Sequence, residues 1–89
     1  MARNLTFTDR AWSDYLWWQA NDPAMLARLN ALIRECQRTP FKGTGKPEPL
    51  RNDLRGLWSR RVTKADRLVY RATSTAIQIV ACRFHYDDR

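Results

Sequence analysis

The residues best equipped for chemistry in this chain are Glu48, Arg61, Arg67 and His85. Glu48 sits between Pro47 and Pro49, in a turn-rich run that starts at Pro40 and includes Gly43 and Gly45. Proline fixes its own φ and lacks an amide donor, so this run is neither helix nor central strand. Its prolines also restrict a loop that would otherwise wander. Lys46 and Arg51 flank the carboxylate, and Arg60 and Arg61 end the apolar run that follows. A carboxylate held among cations is either an ion-pair staple or a base aimed at a phosphodiester. As a surface ion pair it would contribute little. As a base it would suit metal-free RNA cleavage, in which a 2′-hydroxyl attacks its own 3′-phosphate. Glu48 would remove the hydroxyl proton, and Arg61 and Arg67 would absorb the charge of the phosphorane-like state. His85 would protonate the departing 5′-oxygen. The planar fork of arginine matches phosphate oxygens, and histidine exchanges a proton near neutrality. Taken singly, these residues do not identify an enzyme. A lone histidine near a chain end is more often solvated than catalytic, Arg60 and Arg61 would serve equally as phosphate anchors, and Tyr86 either stacks on a base or closes the core.

The bulk of the chain narrows the choice of partner. Its 89 residues predict a single domain over residues 1–89 with one modest core. A formal charge of +7 and a pI near 10.3 point to a polyanion or an acidic protein. Four tryptophans are a heavy aromatic load, shared between core and base stacking. Cys36 and Cys82 are distant and form no CxxC pair, so two free thiols in a reducing cytoplasm are expected. One histidine and no Cys/His cluster argue against a zinc site. The opening MARNLTF has no long apolar run, so no signal peptide is expected. No stretch approaches the ~20 apolar residues of a membrane span.

The positioning elements follow from periodicity. Leu5 and Phe7 alternate within Asn4 to Thr8, a short first strand. Thr8 or Asp9 can cap a helix over residues 9–21. Trp12, Tyr15, Leu16 and Gln19 make its expected buried stripe, with Trp18 at the border and Trp17 exposed. Asp22 and Pro23 restart a second helix that runs to about Arg38. Its stripe is Met25, Leu29, Leu32, Ile33 and Cys36, with Arg28, Arg34 and Arg38 off it. Nothing in that helix resembles a base-reading pattern. Residues 56–62, 67–73 and 76–85 are strands joined by short turns, hence antiparallel neighbours; the last is apolar on both alternating sets, as in a strand covered on both faces. The fold class is α+β in the order β-α-α-β-β-β, a small sheet with a helical hairpin on one face.

Arg61, Arg67, Arg83 and His85 are all odd-numbered. Side chains two apart on a strand share a face, so a suitable register would gather three guanidiniums and one imidazole on one face, with the Glu48 loop closing over it.

Five motifs carry a resemblance to the YoeB toxins, of the RelE-type superfamily of bacterial toxin–antitoxin ribonucleases. They are W-x-D-Y-L-x-W-Q at Trp12 to Gln19, R-T-P-F-x-G-x-G-K-P-E-P-L at Arg38 to Leu50, W-S-R-R at Trp58 to Arg61, R-L-V-Y at Arg67 to Tyr70 and A-C-R-x-H-Y at Ala81 to Tyr86. The resemblance spans nearly the whole chain. It implies a RelE-like fold and a ribosome-dependent endoribonuclease that cuts messenger RNA in the decoding A site without metal or other cofactor. The products would be a 2′,3′-cyclic or 3′-phosphate and a 5′-hydroxyl. It also implies Glu48 as base, His85 as acid and Arg61 and Arg67 at the phosphate. Lys46, Arg51 and Tyr86 would assist at the RNA, where Arg60 and Arg83 are expected as further cations. A YefM-like antitoxin with an acidic segment would block the site, and the complex would bind promoter DNA mainly through the antitoxin. Homodimers occur in the family. Asp66 stands where a histidine is usual, Arg51 where a lysine is usual, and Asp87, Asp88 and Arg89 follow the His-Tyr pair. Two other readings remain: a basic RNA- or ribosome-binding module that blocks translation without cutting, and a toxin on the same scaffold directed at a protein such as gyrase, against which the Glu48 loop and the His-Tyr pair speak.

Overall fold

The computed structural model describes residues 2–85. The chain begins with β1 (Asn4–Phe7), passes through α1 (Asp9–Asn21) and α2 (Pro23–Arg38), and then builds β2 (Glu48–Pro49), β3 (Trp58–Arg61), β4 (Arg67–Ala72) and β5 (Ala76–Ala81). The sheet order is β1-β5-β4-β3-β2. β1 runs parallel to β5, and the other pairs are antiparallel. The expected α+β order is therefore present. The sheet gains a two-residue edge strand within the proline-rich loop, where Glu48 pairs with Ser59 and Pro49 with Trp58. Proline is tolerated there because an edge strand can spare a donor.

Local chemistry sets the helix boundaries. The hydroxyl of Thr8 accepts from the Ala11 N–H and caps α1. Asp22 caps α2 through the Met25 N–H, with Pro23 in the first turn. The α2 stripe is as expected, with Leu29, Leu32, Ile33 and Cys36 buried. The α1 stripe needs correction. Ala11, Asp14 and Trp18 are the buried residues, Trp17 packs partly buried against the core, and Trp12 and Leu16 are 50% and 42% exposed. The helix is rotated by a polar demand. Asp14 Oδ2 accepts from the Cys82 N–H at 3.0 Å, and Trp18 Nε1–H donates to the Cys82 carbonyl at 2.8 Å. Both backbone groups at the end of β5 are buried away from other partners in the ladder, and α1 turns toward the sheet the side chains that satisfy them.

β5 ends at Ala81 rather than His85, and it carries a bulge. Tyr70 pairs with Ile79 but Val69 pairs with Ala81, so Val80 is an extra residue. The Val80 carbonyl is taken by the Thr8 hydroxyl at 2.8 Å. Before the bulge, Ile77 and Ile79 join the main core with Leu68, Tyr70 and the helices. After it, Ala81 joins a second cluster with Leu50, Leu57 and Val69 on the opposite face. Both faces of the sheet are covered in part, as the two apolar sets of this strand suggested. Cys36 and Cys82 are free and buried, and burial pushes their thiols up to about 11 and about 12 respectively.

Replacing Asp14 by Ala leaves the buried Cys82 N–H without its acceptor. The expected loss is about 1–3 kcal/mol, read as a lower urea midpoint at unchanged slope. Asp14→Asn keeps an acceptor oxygen and should lose less.

Candidate active site

The proline-rich loop is held from beneath by one side chain. Arg60 is fully buried. Its Nε donates to Tyr70 Oη at 3.1 Å, its Nη1 to the Thr44 carbonyl at 3.1 Å, and its Nη2 to the Thr39 and Lys42 carbonyls at 2.5 and 2.9 Å. Glu35 Oε1 lies 3.5 Å from Nη1. All five guanidinium N–H groups therefore have an acceptor. Tyr70 Oη in turn donates to the Pro40 carbonyl at 2.6 Å, and Glu35 Oε1 accepts from the Thr44 N–H at 2.8 Å. A Cβ on Gly43, which has φ 117, would collide with the Glu35 carboxylate. A Cβ on Gly45, φ 86, would lie 3.2–3.3 Å from Arg60 and the Arg61 backbone. Both glycines let the chain pass close over this clamp. Arg60 was expected at the RNA; its burial excludes that, since β3 alternates and turns Arg60 to the helix side and Arg61 outward.

On the other face, cross-strand pairing sets the candidates in rows. Arg61 pairs directly with Arg67, and the Arg61 N–H donates to the Gly45 carbonyl at 2.7 Å, which places exposed Lys46 next to Arg61. The following row contains Glu48, Ser59, Val69 and Ala81. Glu48 and Arg61 are exposed, and Arg67 is half-buried. Arg67 Nη1 is fixed by the carbonyls of Thr63, Lys64 and Asp66 at 3.1–3.2 Å. Behind Arg61, the α2 residue Arg28 donates to the carbonyls of Val62 and Arg61 at 2.7 and 3.0 Å. The Arg67 N–H donates to the Phe84 carbonyl at 3.0 Å, so His85 leaves the sheet beside Arg67. From Gly45 through Arg61 and Arg67 to Phe84 the ladder is continuous. Three strand spacings make it about 14 Å wide. Glu48 lies in the next row on the β2 side, and His85 follows Phe84 on the β4 side, so the Arg61 and Arg67 positions fall between their backbones.

The row expected to extend through Arg83 stops short. The Arg83 guanidinium lies 3.6 Å from the Trp17 ring centroid and 4.3 Å from that of Phe84, drawn to α1 and away from Arg61. Arg51 is exposed after β2, and Tyr86 lies outside the described residues. Arg28, Asp14, Trp18 and Asp66 bond the backbone of segments around the candidates; none was among the expected site residues, because each acts on a segment distant in sequence. Among the described residues no group of three or more His, Cys, Asp or Glu could hold a metal ion, and no helix is long and apolar enough to cross a membrane.

The sequence and the fold are similar to those of known proteins. A family profile described as "YoeB-like toxin of bacterial type II toxin-antitoxin system" matches residues 7–86. The chain belongs to that family. Toxin YoeB of Escherichia coli K12 is 49% identical over 82 residues, covering 92% of this chain and 98% of that protein. A structure of the YoeB/ParE toxin from Agrobacterium tumefaciens superposes with TM-score 0.89 at 47% identity, over 93% of this chain and 99% of that one. The Staphylococcus aureus relative is known as a YoeB dimer, 38% identical with TM-score 0.88, and in a YoeB–YefM complex, 37% identical with TM-score 0.86; each comparison covers 97% of this chain and 100% of that one.

Arg60→Ala would strand the loop carbonyls and Glu35. The expected cost is about 3–5 kcal/mol by thermal or urea unfolding. Glu35 provides a pH test. The Thr44 N–H bond, with a smaller contribution from Arg60, holds its carboxyl below the ordinary 4.5. A lowered folded value means that its stabilisation is present above 4.5 and fades as pH falls through the folded value. The stability gap between wild type and Glu35→Gln should therefore be largest near neutrality and close on acidification.

Proposed function

We propose that this YoeB-family toxin is a ribosome-dependent endoribonuclease that cuts messenger RNA in the A site and so stops translation. The observation that carries the reading is the continuous ladder from Gly45 to Phe84, which sets Arg61 and Arg67 between the backbones that carry Glu48 and His85. Glu48 takes the 2′-hydroxyl proton as that oxygen attacks the adjacent phosphate. Arg61 and Arg67 neutralise the charge that builds on the phosphoryl oxygens; the Arg67 guanidinium is held by the Thr63, Lys64 and Asp66 carbonyls, so it needs little reorganisation in the transition state. His85 protonates the 5′-oxygen as its bond to phosphorus breaks. The product ends are a 2′,3′-cyclic phosphate, opened to a 3′-phosphate, and a 5′-hydroxyl. The reading invokes no metal and no cofactor. Lys46, Arg51 and Tyr86 contact the message or ribosomal RNA, an attraction in keeping with the charge of +7.

The partner in the cell is a YefM-like antitoxin whose acidic segment competes for the cationic site, and promoter DNA is reached mainly through that antitoxin. Homodimerisation belongs to the same reading, in line with the S. aureus relative. The site of action is the cytoplasm, where message is translated.

Primer extension on message-programmed ribosomes tests the roles. Glu48→Ala and His85→Gln should each cut about 10²–10⁴-fold more slowly, and Arg61→Ala about 10²–10³-fold. Cleavage by both acid–base variants at the wild-type rate would refute the assignments. Translation arrest with intact message would instead mark a non-cleaving binder, its affinity falling with salt at a log–log slope of about −0.7 per phosphate contacted.

A further inference from the structure

Asp66 joins the turn between β3 and β4 to the segment that carries His85. Its Oδ1 accepts from the Phe84 N–H at 2.6 Å, and its Oδ2 accepts from the Thr63 hydroxyl at 2.7 Å. The Asp66 carbonyl accepts from the N–H groups of Val62 and Thr63 at 3.0 and 3.3 Å, so the carboxylate rises from a closed turn. The next residue, Arg67, donates its N–H to the Phe84 carbonyl. Consecutive residues thus grip both backbone groups of Phe84.

That grip falls on a strained residue. Phe84 has φ 66, the left-handed region that a bulky side chain avoids. Such a conformation persists where the surroundings over-determine it. The direction in which the chain leaves Phe84 toward His85 is set in part by this dihedral. Arg83 packs between Trp17 and Phe84, but a stacked cation tolerates rotation about its ring contacts and does not fix a backbone angle. The carboxylate bond fixes the peptide plane before Phe84, as the Arg67 N–H fixes the one after it.

We propose that Asp66 is a positioning residue for His85: its carboxylate latches the Phe84 amide and holds the left-handed turn that presents the imidazole beside the Arg61–Arg67 pair. The inference rests on the ribonuclease reading above. It assigns the Asp66 carboxylate a geometric duty rather than contact with RNA, where a negative charge would repel the message.

Single-turnover cleavage by the full chain on message-programmed ribosomes, with hydrogen exchange at the Phe84 amide, tests it. Asp66→Ala should lose Phe84 protection and lower the maximal rate about 10- to 100-fold, the scale of a misplaced proton donor. The half-saturating ribosome concentration should stay within about 2-fold, and Asp66→Asn, which keeps an acceptor, should stay within about 3-fold of the wild-type rate. A wild-type rate for Asp66→Ala, a loss confined to half-saturation, or an Asn variant as slow as Ala would each overturn the latch while leaving the ribonuclease reading intact. A wild-type chain that leaves message whole overturns that reading and the proposal with it. Should Asp66→Ala fail to fold, Thr63→Val loosens the carboxylate without removing it. A reduced maximal rate in that variant supports the latch, and an unchanged one overturns it.

Discussion

The structure depends on a buried guanidinium. Arg60 is an ion in the core of a small protein, and a lone buried charge would be prohibitive. Here its five N–H groups meet three loop carbonyls, a tyrosine oxygen and a carboxylate. The loop benefits in return. Residues 39–44 have almost no ladder of their own, and their carbonyls would be costly to leave dry. Each need is met by the other. A proline-rich segment without regular structure thereby becomes a fixed platform, and Lys46 and Glu48 extend from its end. The ordering entropy of that segment is spent on folding and not at the moment a nucleic acid arrives.

The opposite side of the site is arranged by the same logic. Cys82 is held by Asp14 and Trp18, Arg83 by the Trp17 ring, and Phe84 by Asp66 and Arg67. Neither the loop nor the tail would keep its path as an isolated peptide. The central strands β3 and β4 set the candidate cations Arg61 and Arg67 by regular pairing, and the segments on either side are placed largely by side chains that answer backbone groups. Reactive groups on irregular segments gain precision when a rigid frame determines each residue in turn.

Much of this was legible in the sequence, and the failures have physical causes. The α2 stripe could be read because its buried positions are all apolar, and the Thr8 and Asp22 caps because capping is local chemistry. The α1 stripe was misread because Asp14 looks like a surface residue, and its reason for burial lies at Cys82, far along the chain. Strand parity separated Arg60 from Arg61 correctly but could not say which of them faced solvent. Trp58 and Val62, on the Arg60 side, were the available hint. The odd-numbered set of Arg61 and Arg67 did come together, since β3 and β4 pair without irregularity. Arg83 left that set because β5 ends early and a tryptophan ring captures the guanidinium.

The bulge at Val80 has a consequence for how this chain can vary. In a ladder without it, Ala81 would fall on the helical side with Ile77 and Ile79, and Cys82 would turn its backbone bonds away from Asp14 and Trp18. The side of the sheet from which the terminal arm departs is thus a two-valued property, decided by a single codon and not adjustable by degrees. Substitutions can tune the arm, but an in-frame loss or gain within β5 would move it to the other face of the sheet in one step. A change of length in that strand should therefore be tolerated far less readily than a change of residue.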